Sequence, residues 1–336
     1  MTLHDTGIVV IARNEGERLE RCLERLSGRA AVIVYADSAS TDGSVAAARR
    51  RGVAVVELDP ARGLNAARGR NAGVARLLEL RPDLAYVMFL DGDCLLVDGF
   101  LEIARQRLEQ DAQLGAVCGR RRELQPAASV FNRLVDLEWD TPVGDAQAFG
   151  GDVLVRTEAL REAGGYDEHL DQGEDPELAF RLRRLGWRIL RIERDMSLHD
   201  VALHRFAAWW RRHKRGGRAL AQGFWIHRGE PGQYDLRECA SVLFWGLALP
   251  ASALVLAPWT GGLSLALLAG HGILWARVRM QRLRRGASPA DASLYATWIT
   301  LGKCAEALGV LEMAWSVVRR RAARAVEYKD YQRDAA

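Results

Sequence analysis

Reactions that move charge need acids, bases or metal ligands held close together, and three segments of this chain offer them. Asp91-Gly92-Asp93 closes the apolar run 86–90. Two carboxylates flanking a glycine at a strand end can present oxygens to Mg²⁺ or Mn²⁺ and leave coordination positions for phosphate oxygens. The same triplet is ordinary turn composition, so alone it does not choose between an ion site and a turn. Ala12-Arg13-Asn14-Glu15 ends a first apolar run, and Asp37-Ser38-Ala39-Ser40-Thr41-Asp42-Gly43 follows a second. Neither GxGxxG nor GxxxxGK[ST] follows the first run, which removes the main support for a dinucleotide site or a P-loop.

The elements that must hold these segments follow from periodicity. Residues 8–12, 31–36, 53–58 and 86–90 read as buried strands, with helices over 15–26, 44–51 and 64–80 between them. Leu19, Cys22, Leu23 and Leu26 fall on one face of the first helix. A helix over 100–110 and strands over 114–119 and 188–192 extend the pattern. Alternation of this kind predicts an α/β domain with a largely parallel sheet. Ligands of such sheets collect at the carboxyl ends of the strands, where the three polar segments lie.

Composition sets the wider limits. A chain of 336 residues, 49% hydrophobic and 27% charged, can bury a full core in one large domain with an appendage. The balance of 47 basic against 43 acidic side chains does not point to a nucleic-acid partner. Five cysteines, widely spaced and never in a CxxC pair, argue against a disulfide framework and a zinc site and suit a reduced, cytoplasmic setting. The first five residues carry acid and histidine rather than a basic stretch before an apolar run, so no secretory signal is expected.

From Cys239 to Ala276 there is no Asp, Glu, Lys or Arg, and Pro258, Gly261 and Gly262 break the run near its middle. This predicts an apolar helical hairpin over 239–276. A full span takes roughly 20 apolar residues, which the first arm supplies and the second does not quite, so a tilted or re-entrant hairpin is expected. The alternative is a buried helical pair in a soluble core. Basic residues gather at 211–218, 277–285 and 319–324, and the first two clusters, which flank the hairpin, favour the membrane, with both flanks on the cytoplasmic face of the inner (cell) membrane. Ser288, Pro289 and Asp291 predict a helix start, and the amphipathic helix that follows, 289–318, reads as interfacial or packed.

Taken in order, the motifs resemble family 2 glycosyltransferases with the GT-A fold, over roughly residues 6–224. The opening strand with its Asn14-Glu15 end is similar to the family's, although the frequent proline and aromatic are missing at Ala12 and Arg13. Asp37-Ser38-Ala39-Ser40-Thr41-Asp42-Gly43 resembles the Asp-x-Ser-x-Asp-Gly loop, and Ala67-Arg68-Gly69-Arg70-Asn71-Ala72-Gly73 the Ala-Arg-Asn-x-Gly segment. Asp91-Gly92-Asp93 stands where the family has its metal-binding DxD. Gly150-Gly151 through Gly164-Gly165-Tyr166 resembles the acceptor-side segment, Gly173-Glu174-Asp175 the Glu-Asp motif, and Gly186-Trp187 follows at the family's distance.

The resemblance implies a GT-A domain over 1–225 and a helical, membrane-associating region over 226–336. It implies a metal-dependent inverting transfer of a sugar from a nucleotide diphosphate donor to an acceptor that is a glycan, lipid or small molecule. Asn14, Glu15, Asp37, Arg70 and Asp91 would meet the nucleotide, and Asp91, Asp93 and His199 would hold Mg²⁺ or Mn²⁺. Gly151 would lie on the acceptor side. Trp209, Trp210 and Arg212 would either join it there or form an interfacial helix. Asp175 would be the general base, with Glu174 as the fallback. Asp175 before Pro176 also reads as a helix cap, a role that competes for the same carboxylate. A nucleotidyltransferase on the same type of fold and a catalytically idle membrane scaffold are the other readings.

Overall fold

A computed structural model of the protein describes residues 3–230 and 234–319. The end of the third basic cluster, residues 320–324, lies outside the described residues, as do the first two residues.

The chain opens with β1 (Leu3–Ala12), α1 (Glu17–Leu26), β2 (Ala30–Asp37), α2 (Ser44–Arg50), β3 (Ala54–Glu57), α3 (Ala66–Leu80) and β4 (Tyr86–Asp91). These are the expected elements, because uninterrupted apolar runs such as Ile8-Val9-Val10 are fully buried between helices on both faces. The next elements are β5 (Cys94–Leu96), α4 (Phe100–Gln110), β6 (Leu114–Glu123), α5 (Val130–Glu138), β7 (Gly144–Asp145) and β8 (Val153–Arg156). The sheet closes with α6 (Thr157–Glu162), α7 (Glu174–Arg184) and β9 (Arg188–His199). Strand order is β3-β2-β1-β4-β8-β6-β9-β5, with β7 paired to β9.

Two registers place the site. Ala12 of β1 lies opposite Asp37 of β2, and Ile11 lies opposite Asp91 of β4. The three polar segments therefore emerge at one edge of the parallel part. Beyond β4 the sheet changes direction, since β8 runs antiparallel to both β4 and β6. The sequence reading missed β5, β7 and β8 because strands of two to four residues are too short to show a period. It also ended the last strand at 192, whereas β9 runs on to His199 by pairing with β6 and β5.

After the sheet come α8 (Phe206–Ile226), α9 (Leu236–Leu243), a π-helical turn Phe244–Ala248, α10 (Leu249–Val255), α11 (Ala269–Arg284) and α12 (Pro289–Val318). Ser288 caps α12 through the amide of Asp291, as the sequence predicts. The apolar hairpin forms, but not as a buried pair. Leu236–Val255 is a 20-residue helix with an apolar stretch of mean hydropathy 1.6, only 17% of it buried. Leu254, Val255, Trp259, Leu263 and Ile273 are all exposed.

The amphipathic expectation for 289–318 is corrected. Ala292, Ala296, Gly302, Ala305, Ala307 and Gly309 face inward while Leu301, Leu308, Leu311 and Trp315 face out. Small residues let α12 lie close against α8 and the hairpin, so close packing rather than side-chain polarity decides which face is hidden. α5, α8 and α12 meet in an aromatic cluster. In it the Trp209 ring lies 6.0 Å from Phe131 and 4.9 Å from Trp298, and Phe131 lies 5.0 Å from Trp298.

Candidate active site

At the carboxyl edge of β1 and β4 lies a cavity of ≈ 320 Å³. Its wall includes Glu15, Ser38, Asn65, Arg70, Asp91, Asp93, Arg121 and Gly151, and on the far side the run from Asp171 to Asp175. Donor-side and base-side motifs, more than 80 residues apart in sequence, therefore face one space.

Arg70 joins them. It projects from α3, is 2% exposed, and its Nη1 donates to Glu174 Oε1 at 2.5 Å and lies 3.6 Å from Asp175 Oδ1. Its Nη2 donates to Asp91 Oδ1 at 3.1 Å. The other oxygen of Asp91 accepts from Arg121 at 2.9 Å, and Arg121 also pairs with Asp152 at 2.8 Å. Asp152 is fully buried and accepts from the Asp91 amide and from Ser197 Oγ as well. Gly151 fits against this cluster, since a Cβ there would collide with Asp91 Oδ2 and reach 2.9 Å from Arg121 and 3.0 Å from Arg70. The site has no room for a side chain at that position.

The ion-binding expectation divides between the two aspartates of the triplet. Asp91 is committed to two guanidiniums. Burial raises its carboxyl, with Arg121 and Arg70 opposing the shift. Asp93 faces His199 instead, with Nε2 3.4 Å from Asp93 Oδ2, and the ligand atoms of Asp93, Cys94 and His199 lie within 4.8 Å of one another. Burial alone would raise Asp93, but the charge of His199, followed by Arg121 and Arg18, holds it far below the usual carboxylate range. Burial disfavours the His199 imidazolium, yet Asp93 lifts it to about 9. Burial pushes the Cys94 thiol well up, which disfavours the thiolate that would bind a metal. The ligand atoms of Asp91, Cys94 and Asp152 form a second group of the same size, but Arg121 occupies both of its aspartates. Asp93 and His199 could hold a divalent ion. Glu123 Oε2, 3.9 Å from His199 Nδ1, stands behind them as an orienting carboxylate.

Asp175 is not a cap. The N-cap of α7 is Gly173, with no side-chain cap hydrogen bond, and Asp175 sits in the first turn. Its Oδ1 is buried without a hydrogen bond. Burial, partly offset by Arg70 and reinforced by Glu174 and Asp91, pushes its carboxyl up to about 8.

Several expected positions lie elsewhere. Asn14 takes a left-handed conformation (φ 53) and spends its Oδ1 on the Thr41 amide at 2.6 Å. Asp37 is buried, accepting from the Ser40 amide at 2.8 Å and from the Tyr35 hydroxyl. Both shape the loops behind the cavity, whose wall is Ser38. Trp209, Trp210 and Arg212 do not line it either. Trp209 is fully buried in the aromatic cluster, Trp210 packs against Phe206, and Arg212 pairs with Glu138 at 2.6 Å. They lie outside this cavity, because α8 turns that face to α5 and α12. Arg121, Glu123 and Asp152 escaped the sequence reading. The one available signal was Arg120-Arg121-Arg122 at the end of a buried strand.

Residues 7–134 match the sequence model of the family described as Glycosyl transferase family 2, and the chain is a glycosyltransferase. It is 27% identical over 344 residues to "Succinoglycan biosynthesis protein ExoA" of Rhizobium meliloti (strain 1021), covering 94% of both chains. Among solved structures it resembles the mannosyltransferase PcManGT from Pyrobaculum calidifontis in complex with GDP-Man and Mn²⁺. That match has a TM-score of 0.64 and 22% identity over 94% of this chain and 88% of that one. It also resembles S. aureus TarS 1–349, with a TM-score of 0.52 and 14% identity over 88% and 90% of the two chains. The fold is GT-A, a mixed sheet with flanking helices, followed by a helical region.

Proposed function

We propose that the protein transfers a sugar from a nucleotide diphosphate donor, with inversion at the anomeric carbon, to a hydroxyl of an acceptor presented at a membrane. The observation that carries this reading is Asp175, which lines the same cavity as Asp93 and whose Oδ1 is buried without a hydrogen bond. A general base needs such an uncommitted acceptor within reach of the attacking hydroxyl. Mg²⁺ or Mn²⁺ held by Asp93 and His199 would supply neutralising charge to the diphosphate. Mn²⁺ and a nucleotide sugar in the similar PcManGT support that choice. Arg70 keeps Asp175 close to the donor side, and Arg121 fixes Asp91 beside the ion pair. The test is product analysis of purified protein with Mn²⁺ and a panel of sugar nucleotides that includes GDP-mannose. Nucleoside diphosphate is expected. Pyrophosphate would instead favour nucleotidyl transfer, and no product would favour an idle scaffold.

The exposed apolar hairpin supports residence at the membrane, its arginine-flanked ends on the cytoplasmic face of the inner (cell) membrane. Full-length protein is expected to float with vesicles of mixed anionic phospholipid, whereas Trp259→Asp with Leu263→Asp should reduce the floating fraction. Equal flotation of both would remove the hairpin from membrane binding.

A further inference from the structure

Helix α7, which carries Asp175, starts from a loop whose back is held by α8. His169, Asp171 and Gly173 belong to this loop, and the residues from Asp171 onward wall the cavity up to Asp175. Behind it runs α8. Gln222, only 4% exposed, donates from Nε2 to the His169 carbonyl at 3.0 Å and accepts from the Asp171 amide at Oε1, 3.4 Å away. One turn earlier Arg218 donates to Asp171 Oδ2 at 3.2 Å, in a pair largely withdrawn from water. Gly173 then takes φ 83, and a Cβ there would stand 3.3 Å from Ala219 Cβ. The space left between loop and helix is ≈ 10 Å³, about enough for one water. The loop therefore has no slack on its α8 side.

α8 is itself held firmly. Lys214 pairs with Glu312 of α12 at 2.5 Å, His213 with Glu306 at 3.2 Å, and Arg212 with Glu138 of α5 at 2.6 Å. At its far end His227 Nε2 meets Glu177 of α7 at 3.0 Å. The same helix thus grips α7 at two places, before its first turn and within it. The side chain that gains a fixed position is Asp175, which has no hydrogen bond at Oδ1 to hold it independently. Arg70, 3.6 Å from that oxygen, attracts the carboxylate without fixing its direction by a hydrogen bond, so its geometry depends on how its backbone is held.

We infer that Gln222 and Arg218 are positioning residues for the transfer reaction, acting through the loop that ends at Gly173 to set Asp175 against the acceptor hydroxyl. The inference rests on Asp175 being the base. It means that α8, which α12 holds in place, is part of the catalytic apparatus.

The experiment is a double-mutant cycle on the full chain, with turnover read as nucleoside diphosphate released from GDP-mannose, or from whichever sugar nucleotide the panel shows to be used. In Gln222→Ala, kcat should fall about 10- to 100-fold, the scale of a misplacement near 1 Å. The donor KM and binding of GDP with Mn²⁺ should stay within about twofold, because the donor wall is untouched. In an Asp175→Asn background the same substitution should change kcat by less than about threefold, since there is no base left to position. A role confined to stability would lower the yield of folded enzyme by the same factor in both backgrounds. Arg218→Ala should repeat the pattern and Arg218→Lys should restore part of kcat. If Gln222→Ala does not fold, Gln222→Glu and the Arg218 pair carry the test. Equal factors in the two backgrounds, or an unchanged kcat in Gln222→Ala and Arg218→Ala, overturn the positioning role and leave Asp175 as base. An Asp175→Asn enzyme with wild-type kcat overturns both.

Discussion

Asp175→Asn should lower turnover about 100- to 10,000-fold, the range for removing a general base, while GDP binding in Mn²⁺ stays near that of the parent protein. The cap reading would have tied this substitution to helix stability. Gly173 caps α7 instead, so asparagine at 175 removes no cap.

Stability should move in the opposite direction from activity. The Asp175 carboxyl stands at about 8 in the folded protein, against about 4 in an unfolded chain. Its neutral form is the one the fold favours. Below pH 4 the group is protonated in both states and costs nothing. As pH rises from about 4 to about 8 the unfolded chain ionises more readily than the folded one, and stability is lost progressively over that window. Asparagine avoids this cost. The melting temperature of Asp175→Asn should therefore exceed that of the parent protein by a margin that grows between pH 5 and pH 8. The underlying difference is on the order of a few kcal/mol at the upper end. Thermal unfolding across that pH range checks it, and a margin independent of pH would show that Asp175 ionises in the folded protein as it does in water. Should turnover survive in Asp175→Asn and vanish in Glu174→Gln, the base would be Glu174.

Asp93→Ala should reduce Mn²⁺-dependent turnover at least about 100-fold, the scale for removing a group that offsets developing charge, and should abolish the Mn²⁺ dependence of GDP binding. A proton competes for the same place. His199 beside Asp93 is lifted to about 9, so without the ion it is charged at neutral pH, whereas a ligand to the ion must be neutral. Because its folded value is raised, the stability from this pair is complete below about 6.5, the unfolded histidine value, and fades as pH rises through about 9. Ion binding has the opposite sign. Affinity for Mn²⁺ should rise with pH up to about 9, by as much as tenfold per unit, and His199→Gln should flatten that slope while weakening binding. Calorimetric titration of Mn²⁺ between pH 6.5 and 8.5 measures both. A slope retained in His199→Gln would place the competing proton on another residue.

Much of this site was legible in the sequence because its donor half is built from strand ends. Asp91 and Asp93 follow an apolar run whose period and neighbours are local, and parallel pairing of β4 with β1 brings them to the edge where Glu15 stands. Glu174, Asp175 and Arg70 were singled out by the resemblance of their segments to family motifs. What the sequence by itself determined was therefore the class of the fold, the chemistry of the motifs and the run of apolar residues that becomes the hairpin.

Only the tertiary structure decided how the carboxylates share their partners. Asp91 and Asp93 are two residues apart and look alike in sequence. One is bracketed by Arg70 and Arg121 while the other faces His199, because β8 inserts antiparallel between β4 and β6 and brings Arg121 and Asp152 to the strand end. Trp209 illustrates the same limit from the other side. Its Trp-Trp-Arg-Arg context fits a membrane interface or an acceptor site equally well, and packing against Phe131 and Trp298 buries it in the core. Asp175 read as a cap or as a base until the chain before α7 showed which residue ends the loop. Propensity and motif are properties of neighbours in sequence. The burial that leaves one carboxylate oxygen without a hydrogen bond, and the helix that holds its loop in place, depend on contacts between residues about 50 to 100 positions apart, which no local pattern encodes.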